Sequence, residues 1–269
     1  MSRIQHHIII VFLSVGLSLT DNYCIAQKNK ESQNARSKYA QTDSISFYLE
    51  EGESLSSSQP MRAIVSINRA IELCLIQNRN DKISDAYLLL GNIQMQLGQP
   101  AMALDNYEKC ERISDNNYKS SSSSEVRLPL SYKLYKQKAL AHKALKNHAL
   151  ALENIEAAIR AYQSNSIESY SDLQRTKAEI LSNNKQHDQA ISLLQQVIAS
   201  DRSRNDFYST TKSLLVLGNA YRLAGNETKS IESFNEAGVI ANQYKYADLI
   251  VEINNASASF YQTQGNLNQ

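Results

Sequence analysis

The chain has 269 residues, 42% of them hydrophobic and 20% charged, enough to bury a core in one or two domains. Three prolines and eight glycines are too few for a loop-rich or disordered chain. The net charge of +1 removes nucleic acid as a default partner, because phosphate binding needs a basic excess on some face.

The first predicted element is an exit signal. Arg3, His6 and His7 make a short polar start, and Ile8 to Leu19 is an apolar run of 12 residues. As a helix that run spans about 18 Å, short of a ~30 Å hydrocarbon core. With Cys24-Ile25-Ala26 behind it, residues 1–26 read as a cleavable secretory signal, cut after Ala26. An uncleaved membrane anchor and lipidation at Cys24 are the two other readings. Asp21-Asn22-Tyr23 lacks the small residues a lipidation site wants. Cleavage would remove one base, Arg3, and one acid, Asp21, and leave the net charge unchanged. The expected location is exported, periplasmic or extracellular. A membrane contact is expected only if the segment is retained or the chain is a fragment. A mobile linker is expected over 27–42, and a helical array over 43–269.

The array announces itself by self-similarity. Leu90 to Gln99 reads LGNIQMQLGQ and Leu217 to Asn226 reads LGNAYRLAGN, with a second Gly seven residues after the first in each. A small residue, a large one at +4 and a small one at +7 recur at Ala63/Ile67/Ala70, Ala103/Tyr107/Cys110, Ala151/Ile155/Ala158 and Ser230/Phe234/Ala237. Ala190/Leu194 followed by Val197 is a fifth instance. Antiparallel helices approach closely only where small residues cross, so Gly91, Ala139, Ala178, Gly218 and Ala258 are read as first-helix partners of these second-helix positions. A Gly inside a helix costs roughly 1 kcal/mol against Ala, and its recurrence therefore has a packing cause. Pro60 and Pro100 precede the small residue of the second helix by three positions, where a missing N–H costs nothing. His148, His187 and Glu227 hold the same slot later in the chain.

Leu-Gly, the aromatic Tyr221 three residues after Gly218, a turn Gly and Ala-x-x-x-large-x-x-Ala together resemble the tetratricopeptide repeat. Tyr87, Tyr135 and Leu214 stand where the reference pattern begins with Trp. Successive small anchors lie 40, 48, 39 and 40 residues apart, against a family period of ~34, so the resemblance is to its long-repeat branch. It implies an all-α, right-handed superhelix of about five helix pairs and a lone C-terminal helix. The 48-residue step contains the serine run Ser120 to Ser124, Glu125 and Pro129, which predicts a surface loop insertion over 115–129. A sixth first helix is predicted from Ile250 to Gln264, with Ala258, Tyr261 and Gly265 in register. It reads either as a polar cap or as the front of an interrupted repeat. Exported long-period arrays of this family resemble the extracytoplasmic segments of bacterial sensor proteins.

Signatures of chemistry are absent: no G-x-S-x-G, H-E-x-x-H, G-x-x-x-x-G-K-[ST] or G-x-G-x-x-G occurs. No enzyme activity, cofactor or metal is expected. His142 occupies a large-residue slot and reads as a core-edge histidine, while His148 and His187 fall at turns. Cys74 and Cys110 fall at core positions of different repeats. Neighbouring helices pack 8–10 Å apart, more than the ~7 Å between Cα atoms that a disulfide spans, so buried thiols are expected.

The resemblance further implies a concave groove lined by first helices, for a protein or peptide partner. Carried over by register, its positions are Asp85, Leu88, Asn92 and Met95, then Lys133, Lys136, Leu140 and Lys143. Asp172, Arg175, Glu179 and Ser182 follow, and then Lys212, Leu215, Asn219 and Arg222. Asn92 and Asn219 take the slot from which an amide pairs with a peptide backbone, and the third-repeat lysines would attract an acidic segment. The carboxylate-gripping version of the groove requires a Lys where Leu88 stands and an Arg where Gln137 stands, and the chain departs from it at both. The expected function is a non-enzymatic binding scaffold, with a structural adaptor using the convex face as the alternative.

Overall fold

The computed structural model describes residues 44–120, 128–162 and 167–265. The signal over 1–26 and the linker over 27–42 lie outside the described residues. Eleven helices are present among the described residues and no strand. They are α1 (44–55), α2 (Pro60–Ile76), α3 (Asn80–Gln96), α4 (Pro100–Ser120), α5 (Leu128–Ala144) and α6 (His148–Ala161). Then come α7 (Ile167–Asn183), α8 (His187–Ser203), α9 (Phe207–Leu223), α10 (Glu227–Tyr244) and α11 (Ala247–Gly265). None of them is long and apolar enough to cross a membrane. Each second helix begins at the slot marked in the sequence: Pro60, Pro100, His148, His187 and Glu227 are their first residues.

The turns share one chemistry. Seven of them carry a single residue of positive φ: Asn78, Gly98, Lys146, Lys185, Asn205, Gly225 and Lys245, with φ between 54° and 78°. The N–H of the next residue reaches back five positions to a helix carbonyl, as from Gln99 to Gln94 at 2.8 Å and from Asn226 to Tyr221 at 2.9 Å. This left-handed turn satisfies carbonyls that the helix end would otherwise leave open. Asp206 and Asn226 then cap the following helix, each accepting from the backbone N–H three residues on.

Both ends of the loop predicted over 115–129 are helical. α4 continues to Ser120 and α5 starts at Leu128, leaving 121–127 outside the described residues. No Gly or Pro interrupts α4 before its end, and Pro129 lies in the first turn of α5, where proline starts a helix and does not stop one.

The chain divides into two compact units, one up to Ala86 and one from Tyr87. In the first, Ile45, Ala63, Ile67, Ala70 and Cys74 are buried, and a Cβ on Gly52 would lie 2.5 Å from Ile67. In the second, consecutive helices pack from α4 to α11, and the first helices also touch one another, α5 on α7, α7 on α9 and α9 on α11. The small and large anchors of the sequence pattern are its core: Ala103, Tyr107, Ala151, Ile155, Ala190, Leu194 and Ser230 are all 0% exposed. A Cβ on Gly91 would sit 2.3 Å from the Tyr107 ring, and one on Gly218 would sit 2.5 Å from the Phe234 ring. Where the first helix has Ala instead, at Ala139 and Ala178, the opposing residues are the slimmer Ile155 and Leu194. Ala258, the sixth small anchor, is exposed.

Candidate functional site

The first helices α5, α7, α9 and α11 of the second unit are in sequential contact, and the face they would form together is the candidate site. Asp85 is exposed and belongs to the first unit. Leu88 and Met95 are half-buried against the cluster around Tyr107 and Cys110. Leu140 is half-buried, and Ser182 is buried.

The charged positions turn out to be coupled across helices. Lys136 of α5 pairs with Asp172 of α7, and Lys143 Nζ lies 2.5 Å from Glu179 Oε2. Both pairs are 36 residues apart in sequence. Burial on its own would raise the Asp172 carboxyl. The hydrogen bond and charge of Lys136, helped by Arg175 and Lys212, overcome that and hold it below the usual carboxylate range. Lys212 and Asp248 have the same sequence separation, but here the Tyr208 hydroxyl intervenes. It donates to Asp248 Oδ2 at 2.7 Å, and Lys212 Nζ sits 4.8 Å above the Tyr208 ring. That hydrogen bond lowers Asp248 and raises Tyr208.

Arg175 does not stand open on this face: it is 5% exposed. Its guanidinium lies 3.7 Å from Asp201 Oδ2 and 3.5 Å from Asp172 Oδ1, and donates to Ser213 Oγ at 3.4 Å. Asp201, 0% exposed, is the hub of this cluster. It also accepts from Ser171 Oγ at 2.7 Å, Ser213 Oγ at 3.2 Å and Arg204 Nη2 at 2.6 Å. Four partners satisfy a charge that burial alone would make very costly. Leu215, 4% exposed, is likewise a core residue.

What the face retains is donors. Asn92 Nδ2 and Lys133 carry no protein partner among the described residues. Lys212 stands over the Tyr208 ring within electrostatic reach of Asp172 and Asp248, and Arg222 donates to Asn219 Oδ1 at 3.5 Å. Asp201, Tyr208 and Asp248 were not singled out in the sequence. The 36-residue separation of opposite charges, one turn short of the repeat, was the available signal for the two closed pairs.

Elsewhere, His142 is half-buried; burial, then Lys138, pushes its imidazole below the ordinary histidine value. Cys74 and Cys110 are buried thiols. Among the described residues no cluster of three His, Cys, Asp or Glu side chains is arranged to hold a metal ion.

Residues 84–117 match the tetratricopeptide repeat family, a stretch that takes in most of α3 and α4. Three solved structures show the same fold. One is a set of nearly identical tetratricopeptide-like repeats from a putative kinesin light chain of Podospora anserina, with 19% identity and a TM-score of 0.62. The match covers 75% of this chain and 96% of that one. TTC0263, a thermophilic tetratricopeptide protein of Thermus thermophilus, has 19% identity and a TM-score of 0.56 over 80% of this chain and 99% of its own. BtubC of P. vanneervenii has 18% identity and a TM-score of 0.51, covering 77% and 92%. No curated protein matches the chain in sequence. One stretch of the chain thus matches the tetratricopeptide repeat family, and the chain shares the all-helical repeat fold of these structures.

Proposed function

We propose that this chain is an exported, non-enzymatic scaffold that binds a protein or peptide segment along the first-helix face of its second unit. One observation carries the reading. Three carboxylates of that face, Asp172, Glu179 and Asp248, are engaged internally by Lys136, Lys143 and Tyr208, while amide and cationic donors are left over. An extended chain carrying backbone carbonyls and acidic side chains matches such a face, and neutral pairing beneath it keeps the cations from a wide like-charged field. The apolar run Ile8 to Leu19 supports export. The ~40-residue repeat is similar to that of extracytoplasmic sensor segments, and supports a role as the sensing part of a signalling system.

The test is selection from a random displayed peptide library on the purified exported chain. Acidic peptides should be enriched, and Lys212→Glu with Arg222→Glu should weaken them at least about tenfold, since each lost charge-assisted contact amounts to about 1.5–3 kcal/mol. Indifference to both changes would sink the proposal.

A second reading rests on the first unit. α2 exposes Met61, Val65, Leu75 and Ile76, each 60–75% open to solvent. An Arg69–Glu72 pair interrupts the middle of that surface. A structural adaptor would use it, and Met61→Asp with Val65→Asp would then abolish capture while the α9 charge reversals would not.

A further inference from the structure

The glycine gap at Gly91 decides more than packing. The Tyr107 ring fills it, and the hydroxyl at the end of that ring reaches the next residue of α3, donating to Asn92 Oδ1 at 3.0 Å. Tyr107 is 0% exposed, and burial, then Cys110, pushes its phenol far above the ordinary value, so the hydroxyl stays a donor at any working pH. A primary amide has one oxygen and one NH2 group at opposite branches of its plane. Here the oxygen is held on the side of a buried ring, so the NH2 end of half-buried Asn92 is left without a protein partner among the described residues.

The equivalent residue further along the array is arranged otherwise. Phe234 fills the gap at Gly218 but has no hydroxyl to offer. Asn219 turns its NH2 back to the Leu215 carbonyl at 3.3 Å, and its oxygen accepts from Arg222 Nη2 at 3.5 Å. In that pair the guanidinium is the donor and the amide is spent on bracing. The same Leu-Gly-Asn motif therefore gives two different outcomes, set by one oxygen atom on the facing helix.

We infer that Tyr107 is a specificity-determining residue that presets Asn92 as a hydrogen-bond donor, so that this slot takes a carbonyl or carboxylate oxygen of the bound segment and rejects a group that must itself donate. The inference rests on the reading of the first-helix face as the binding face.

The experiment uses the peptides selected on the parent chain and measures their affinity for single variants. Asn92→Asp keeps the shape and the Tyr107 bond but presents only an acceptor. It should weaken binding about tenfold to a hundredfold, the consequence of facing an acceptor with an acceptor. Tyr107→Phe keeps the ring in the gap and frees the amide to turn over, and should weaken binding about threefold. Asn219→Asp, whose amide is already engaged, should change affinity less than Asn92→Asp. Melting curves of each variant report folding separately. If Asn92→Asp binds as tightly as the parent while Lys212→Glu and Arg222→Glu still weaken the same peptides, the preset is wrong and the binding face stands. If none of these substitutions matters, the face is wrong and the inference falls with it.

Discussion

At Gly91 and Gly218 the missing side chain is what admits an aromatic ring, and the pairing of gap and ring is a volume match. Gly218→Ala would place a Cβ 2.5 Å from the Phe234 ring. Overpacking of that kind costs about 1–3 kcal/mol, against roughly 1 kcal/mol recovered from the better helix former. The expected net loss is about 1 kcal/mol in urea unfolding. Joined to Phe234→Leu, which reproduces the Ala178/Leu194 pairing, the same change should be tolerated, giving a coupling of about 1 kcal/mol or more in a double-mutant cycle. Strict additivity would show that the ring and the gap are independent. These anchors were legible in the sequence because helix crossing imposes the same small–large–small order on every pair. The polar contacts of the same residues were not, since a hydroxyl reaching Asn92 depends on which ring fills the gap and not on the repeat pattern.

Between one helix pair and the next, the corners are built from two different materials. Rings meet where α5, α6 and α7 join, with Tyr132 and Tyr162 centroids 5.3 Å apart. They meet again where α9, α10 and α11 join, with Phe207 stacked on Tyr244 at 4.6 Å. The intervening corner of α7, α8 and α9 is ionic and centred on Asp201. Asp201→Ala would take the buried carboxylate from between Arg175 and Arg204, leaving Arg175 its contacts to Asp172 and Ser213, and should cost about 3–5 kcal/mol in urea unfolding. A loss under about 1 kcal/mol would mean that the cluster is incidental. The Lys136–Asp172 bridge leaves a signature in acid. A carboxyl whose folded pKa is depressed contributes stability above its unfolded value, near 4, and loses it as pH falls through the lower folded value. Lys136→Met should therefore flatten the stability change between about pH 4 and pH 2, read from urea midpoints across that range. An unchanged slope would place the acid sensitivity elsewhere. Register alone put Lys136 and Asp172 on one face, but it could not show that they would meet each other before meeting a ligand. Arg175 and Leu215 show the same limit. Both occupy groove positions by register, yet one is drawn into the Asp201 cluster and the other into the core.

Across the second unit, stability should be graded and not uniform, because each helix draws support chiefly from its neighbours. Among the described residues α11 packs chiefly on α9 and α10, and its anchor Ala258 is exposed where Gly218 and Ala178 are covered. Amide exchange under native conditions should be fastest in α11 and slowest in α7 to α9. Equal protection throughout would point to an all-or-none unit. The repeated left-handed turns have a practical consequence. Lys146, Lys185 and Lys245 hold a backbone shape that suits glycine. An L-residue there is strained by about 1–2 kcal/mol, and glycine relieves that strain at about 0.5–1 kcal/mol of chain entropy. Each Lys→Gly change should therefore raise stability by about 0.5–1 kcal/mol. Three turns of one unit together hold an untapped reserve for thermal hardening, open to an engineer who leaves every buried contact as it is.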